Sequence, residues 1–359
     1  MRVSVTYHVR SDAADIAARA QGIAVEQSVE MPLPAIDEPR ILTDIVGQVE
    51  DIADLGNGVF SVRIALALST MGEDAGQLAN MLFGNTSLQE DVTLADVDLP
   101  DTLIAQFIRP GRRIAKLRRT LASPHRALTA SALKPQGLSP ERLGNLAERL
   151  ALGGLDVIKD DHGLAEQRYS PFADRIRAVT AGLARAVRHT GHHTQYVPSL
   201  TGNLDQLREQ ATIARDAGLT CIMIAPMIAG LPALQTLGNE FPDLTIFAHP
   251  ALGGLRIAPD LLLGKLFPML GADAVIFPSY GGRFGYSQAT CQRLAQNARS
   301  FNAIPVPAGG MTLARTGEIL DFYGPDTMLL IGGNLLLARE DIPREAEAFV
   351  RAVAAHEYR

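Results

Sequence analysis

Eight short apolar runs recur through the C-terminal two thirds of the chain, and they limit its fold more than any other feature. They are Leu128–Leu133, Leu155–Lys159, Thr194–Pro198, Cys221–Ala225, Thr245–Ala248, Ala274–Phe277, Ile304–Val306 and Met328–Ile331, starting on average about 29 residues apart. Each is too short for a buried helix, and all but Thr194–Pro198 are rich in Val, Ile, Leu or Ala, so the set reads as strands covered on both faces. Helix-like stretches such as Pro140–Leu152, Leu204–Ala217 and Tyr286–Ser300 lie between them. Eight βα units at this spacing predict a (β/α)8 barrel. An open doubly wound sheet, the main competitor, more often has about five to seven strands.

The first hundred residues follow another rhythm. Arg2–Val9 alternates like a strand, and Asp12–Ile23 is Ala-rich and helical. Strand-like runs at Leu42–Ile52 and Val59–Leu68 flank Leu55-Gly56-Asn57-Gly58, a strong hairpin signal. A helix over Asp74–Leu82 and a strand over Val92–Leu99 complete the order β-α-β-β-α-β, that of a ferredoxin-like α+β unit. The expected organisation is therefore a ferredoxin-like domain at 1–105, a linker at 106–124, and an α/β barrel with a C-terminal helix at 125–359.

Charge and composition narrow the function classes. The chain has 33 Lys+Arg against 39 Asp+Glu, no Trp and 5% aromatic residues, which argues against a nucleic-acid partner. The longest apolar stretch, Cys221–Leu234, is broken by Pro226 and Pro232 and is too short to span a bilayer. Residues 1–9 read as a strand, not a signal-peptide core, so a cytoplasmic protein is expected. Two cysteines make neither a disulfide framework nor a zinc site.

In a barrel, the residues that follow the strands build the active site. Here they include Lys134-Pro135-Gln136, Lys159-Asp160-Asp161-His162, His249-Pro250, Ser279 through Arg283, Gly309-Gly310 and Gly332-Gly333. Lys159 pairs with Asp160 or Asp161 if the cluster is merely structural; otherwise the group is a ligand set. Lys134 is a surface lysine or a base whose pKa burial would lower. His249 is a core histidine or a proton relay. Glycine pairs after two adjacent strands let backbone amides approach a phosphate. Arg283 is a solvated loop residue or a grip for a carboxylate.

The run Gly153-Gly154-Leu155-Asp156-Val157-Ile158-Lys159-Asp160-Asp161 resembles the metal-site motif of the RuBisCO superfamily, and the similarity extends along nearly the whole chain. The resemblance implies the same two-domain fold. It also implies a CO2-derived carbamate on Lys159 that binds Mg2+ together with Asp161, with His162 at the third ligand position. Lys134 falls at the family's catalytic lysine, while Gly309, Gly310, Gly332 and Gly333 match its phosphate cradle. Asn85, after Gly84, and Glu26 match residues that a neighbouring subunit brings to the site, which implies a homodimer or an assembly of dimers.

Four departures separate the chain from a carboxylase. Gln136 replaces a second lysine, His162 a glutamate ligand, and Pro250 an arginine for a second phosphate. The lysine-tipped loop after strand 6 shrinks to Ser279-Tyr280-Gly281-Gly282-Arg283. Losing that lysine removes an electrostatic partner for CO2 addition. The resemblance is thus to a RuBisCO-like protein, form IV of the superfamily. It implies an isomerase or tautomerase that enolises a pentulose monophosphate, such as a methylthio-pentulose phosphate, with Ser279, Arg283 and Glu26 also contacting substrate. Decarboxylation or C–C hydrolysis of a branched 3-oxo-acid sugar phosphate, and non-catalytic sugar-phosphate binding, are the competing readings.

Overall fold

The computed structural model describes residues 1–107, 117–119, 125–254 and 256–358. Of the linker expected at 106–124, all but 106, 107 and 117–119 lies outside the described residues. The chain forms two compact units, Met1–Arg109 with Leu252–Leu262, and Pro110–Ala251 with Leu263–Arg359.

The smaller unit is built on strands β1 (Arg2–Arg10), β2 (Gln48–Asp54), β3 (Val59–Ala67) and β4 (Val92–Asp98), in the order β2-β3-β1-β4 with antiparallel neighbours. Alternation in β1 buries Val3, Val5, Tyr7 and Val9, together with Ile16, Ile23, Leu78 and Leu82 from helices Ile16–Glu26 and Ala75–Phe83. The Leu55–Val59 hairpin closes as its sequence predicts, with Gly56, Asn57 and Gly58 all at positive φ.

Two expectations need correction. Ile41–Ile45 forms a helical turn and not the start of a strand, because Arg2 takes the carbonyls of Thr43 and Val46 (both 2.9 Å). A strand would have offered such carbonyls to a neighbouring strand. The division at 125–359 assigns Leu252–Leu262 to the barrel, yet this segment clusters with the small unit. Its backbone adds to β4: Leu94 N–H donates to Arg256 O and Ala258 N–H to Leu94 O, each at 2.9 Å.

In the larger unit, β5 (Leu128–Leu133), β6 (Val157–Asp160), β7 (Gln195–Val197), β8 (Cys221–Ile224), β9 (Thr245–Ala248), β10 (Ala274–Pro278), β11 (Ile304–Ala308) and β12 (Met328–Leu330) run parallel in the order β7-β6-β5-β12-β11-β10-β9-β8. A parallel bridge between Ser199 and Met223 closes the ring between β7 and β8, with Met223 N–H donating to Pro198 O and Leu200 N–H to Met223 O, each at 2.8 Å. Local signals set the helices. Ser139 caps Pro140–Leu152, with Pro140 in the first turn, and Asn203 with Gln206 forms a capping box on Leu204–Asp216.

Inside the barrel, every second strand residue joins one core, including Leu128, Ala130, Val157, Val197, Met223 and Phe247. That phase decides the site. Lys159 and Asp161 follow Val157 in step, while Asp160 alternates with them toward the surrounding helices. Among the described residues, no helix is long and apolar enough to cross a membrane.

Candidate active site

Strands β5 and β6 end side by side, which brings Lys134 and the Lys159–His162 run together. Lys134 Nζ donates to Asp161 Oδ1 at 2.6 Å, and His162 Nδ1 lies 3.3 Å from the same oxygen. Partial burial pushes the Asp161 carboxyl up, but hydrogen bonds from His162 and Lys134 outweigh it and hold the group well below the usual carboxylate range. Lys159 is 3% exposed, and its Nζ donates to the Asp160 carbonyl at 2.8 Å. Burial brings its ammonium down to about 8, against the opposing pull of Asp161. Neither Asp160 nor Asp161 is therefore a direct ion-pair partner of Lys159.

His249, at the end of β9, stacks on His162 with ring centroids 4.3 Å apart and planes 10° from parallel. Burial and the nearby Lys159 and His162 drive its pKa down to about 2, so the ring is neutral. Ala251 N–H donates to Nδ1 (3.2 Å), which leaves the ring proton on Nε2. His249 is thereby a hydrogen-bond donor in its resting state.

Asp160 anchors this cluster from behind. Its carboxylate accepts from Arg175 Nε (2.9 Å), Tyr196 OH (2.7 Å) and Ser199 N–H (3.1 Å), all buried. Sequence reasoning passed over Arg175 and Tyr196. The strand's alternation was the available signal, since a charged residue out of phase with Lys159 needs a partner among the helices.

The glycine pairs follow β11 and β12, next in the ring to β5. A Cβ added to Gly309, Gly332 or Gly333 would meet nothing within 4 Å, so these turns border open space. Among the described residues, no backbone acceptor engages the amides of Gly310 or Gly332, while that of Gly309 faces Leu330 in the β11–β12 pairing. Unengaged amides beside open space suit an anion. Ser279 belongs elsewhere: it is 1% exposed, and its hydroxyl sits 3.1 Å from Tyr323 OH. The Arg283 guanidinium lies over the exposed ring of Phe284, 4.9 Å from its centroid.

In the small unit, Asn85 Nδ2 donates to Glu26 Oε1 at 3.0 Å. Buried Gln27 ties the two segments, donating to the carbonyls of Asn80 and Met81 and accepting from Thr86 N–H. Gly84 is required for this approach, because a Cβ there would stand 2.6 Å from Asn80 O.

The donor set at β6 fits a hard divalent cation in one form. A group of three His, Cys, Asp or Glu side chains able to hold a metal is absent among the described residues. A cation held here would need Lys159 as a ligand in another form, since an ammonium repels a cation. Burial of Lys159 eases deprotonation, and a neutral amine is the form that adds CO2 to give an anionic oxygen donor beside Asp161.

Comparison with known proteins agrees with this fold. Residues 113–256 match the catalytic domain of the ribulose bisphosphate carboxylase large chain. The 5-methylthioribulose-1-phosphate isomerase of Rhodospirillum rubrum is 57% identical over 98% of this chain and 96% of its own. A 2,3-diketo-5-methylthiopentyl-1-phosphate enolase of Geobacillus thermodenitrificans is 31% identical over 93% and 88%. The crystal structure of a Rubisco-like protein from Rhodopseudomonas palustris superposes with a TM-score of 0.93 at 48% identity, covering 100% of this chain and 99% of that one.

Proposed function

This chain belongs to the RuBisCO-like proteins of the RuBisCO superfamily, and on that footing we propose that it is a sugar-phosphate isomerase acting by enolisation on a 5-methylthiopentulose monophosphate. One observation carries the reading. Lys134, Lys159, Asp161, His162 and His249 converge at strand ends that adjoin two glycine turns with unengaged amides.

The amides of Gly310 and Gly332 hold the phosphate, with the Gly309 and Gly333 turns around them, and so place the sugar carbons over β5 and β6. Lys134 takes the proton from the carbon beside the ketone, and its conjugate acid returns it to another carbon, so no proton is gained or lost overall. An ammonium bonded to Asp161 has no lone pair, so Lys134 serves as base only once that contact loosens. The Nε2–H of His249 donates to an oxygen that gains charge as the C–H bond breaks. Carbamylated Lys159, with Asp161 and His162, would hold Mg2+, which when bound supplies positive charge for the enolate oxygen. The Asn85–Glu26 pair, read with the family resemblance, covers the barrel mouth of a second copy in a homodimer.

The test is a proton-exchange screen in D2O with the intact protein, over pentulose monophosphates, their unphosphorylated counterparts and branched 3-oxo-acid phosphates. Solvent deuterium should enter the monophosphates and not the unphosphorylated sugars. Release of CO2 from an oxo acid, with no exchange on any pentulose phosphate, would replace isomerisation with decarboxylation. For the shared site, mixing inactive Asn85→Ala with inactive Lys159→Ala protein should restore part of the exchange, and a monomer in sedimentation would refute it.

A further inference from the structure

Beside the Gly309–Gly310 turn lies a partly exposed side-chain network that no step above uses. Arg315, in the turn Leu313–Arg315, engages all three guanidinium nitrogens. Nη1 donates to Gly310 O (3.0 Å), Nε to Glu318 Oε2 (3.1 Å) and Nη2 to Glu318 Oε1 (3.0 Å). The guanidinium also lies over the Tyr280 ring, 5.4 Å from its centroid, and Tyr280 OH donates to Glu318 Oε1 at 2.8 Å. Tyr280 belongs to the turn after β10, so the network links that turn to the one after β11.

The backbones of the two turns are pressed together as well. Ser279 N–H donates to Ala308 O at 2.8 Å. A Cβ on Gly310 would come within 2.9 Å of Gly282 Cα, and one on Gly282 within 3.2 Å of Gly309 C and O. A Cβ on Gly281 would stand 3.1 Å from both Nη atoms of Arg315. Gly281 and Gly310 have φ of +69° and +68°, values that other residues rarely adopt.

We propose that Arg315 is the positioning residue of the phosphate cradle, holding the Gly309–Gly310 turn in its anion-binding conformation through the Gly310 carbonyl, Glu318 and Tyr280. The bond to Gly310 O fixes the peptide plane that follows Gly310. Contact with Gly282 packs against the plane that precedes it, which carries the Gly310 N–H, so with Gly310 held on both sides that amide keeps one orientation. Two consecutive glycines left free would lose more backbone entropy on binding than any other pair of residues. Fixing them beforehand removes that cost from phosphate binding. Glu318 neutralises the Arg315 charge locally, so the arginine acts by geometry and not as a counter-ion to the phosphate.

This role rests on the phosphate reading of Gly309–Gly310, and the experiment separates the two. Inorganic phosphate binding is measured by calorimetry for the full-length wild type, Gly310→Ala, Arg315→Met and Arg315→Lys, alongside KM and kcat for substrate proton exchange. Wild type should bind phosphate and Gly310→Ala should not. Arg315→Met should weaken phosphate binding and raise KM roughly tenfold, with kcat within about twofold, and Arg315→Lys should recover part of the loss. Equal behaviour of wild type and Gly310→Ala, whether both bind or neither does, overturns the phosphate reading. Loss in Gly310→Ala with wild-type affinity in Arg315→Met overturns the positioning role alone. Should Arg315→Met fail to fold, Tyr280→Phe removes only the hydroxyl link. It should weaken phosphate binding about threefold at an unchanged melting temperature, and no change there also overturns the proposal.

Discussion

Two aspartates flank β6, and their surroundings could hardly differ more. Asp156, just before the strand, is fully buried and accepts four bonds: from Thr129 N–H (2.8 Å), Thr129 Oγ1 (2.9 Å), Arg126 Nη1 (2.7 Å) and Arg126 Nη2 (2.9 Å). Asp161, just after it, has one oxygen contested by Lys134 and His162, next to a buried lysine whose ammonium is destabilised. The lower carboxylate has every partner it can use, and its partners have fixed geometry. The upper one sits among groups that can trade protons and partners. In a barrel the first arrangement holds the strand in place, and the second is where chemistry becomes possible.

Exchanging the consequences of the two ends would break this contrast, and the largest effect is expected there. Lys159→Ala should lower substrate proton exchange by roughly a thousandfold or more while leaving the melting temperature unchanged or higher, since a costly buried ammonium is removed. Asp156→Ala should do the reverse. Stranding Arg126 and Thr129 should cost about 3–5 kcal/mol in chemical denaturation, with exchange per folded molecule intact. A catalytic loss in Asp156→Ala at wild-type stability would erase the distinction between the two ends.

A smaller effect, about a hundredfold, is expected for Lys134→Arg. Arginine keeps the charge and the contact with Asp161 but does not deprotonate near neutral pH. Phosphate should still bind. Exchange at the wild-type rate would move the base elsewhere, with His249 next in line.

Preincubation with bicarbonate and Mg2+ should raise activity about tenfold over protein dialysed against chelator, and Lys159→Ala should not respond. Full activity in chelator would remove the cation from the upper cluster.

The smallest effect is on stability. Folding lowers the Lys159 pKa from 10.5 to about 8 through burial, so between those values the unfolded chain binds more protons than the folded one. Stability should therefore rise with pH across that window and level off above it. Urea titrations at pH 7.5, 9 and 10 should show the rise in wild type and its loss in Lys159→Met. Parallel curves for the two proteins would mean that the lysine does not carry the dependence.

Much of this molecule was legible in the chain because the relevant physics is local. The period of the apolar runs specifies strands and their number. The order β-α-β-β-α-β specifies the small sheet, and Ser139, Asn203 and the Leu55–Val59 turn set boundaries through bonds to neighbours only a few residues away. Strand alternation even determines which of Lys159, Asp160 and Asp161 face the barrel interior, since side chains on a strand reverse direction at every step.

Tertiary structure decided which of those groups meet. Lys134 and Asp161 lie 27 residues apart in sequence, and Asp160 and Tyr196 lie 36 apart. The stacking of His162 on His249 and the closure of Arg315 onto Tyr280 likewise join separate strand ends. The addition of Leu252–Leu262 to the small sheet depends on an open edge at β4, which nothing within that segment announces. A residue's type and phase state what it can do. Its partner is chosen by distance, burial and competition among several candidate charges, and these exist only once the ring of strands has closed.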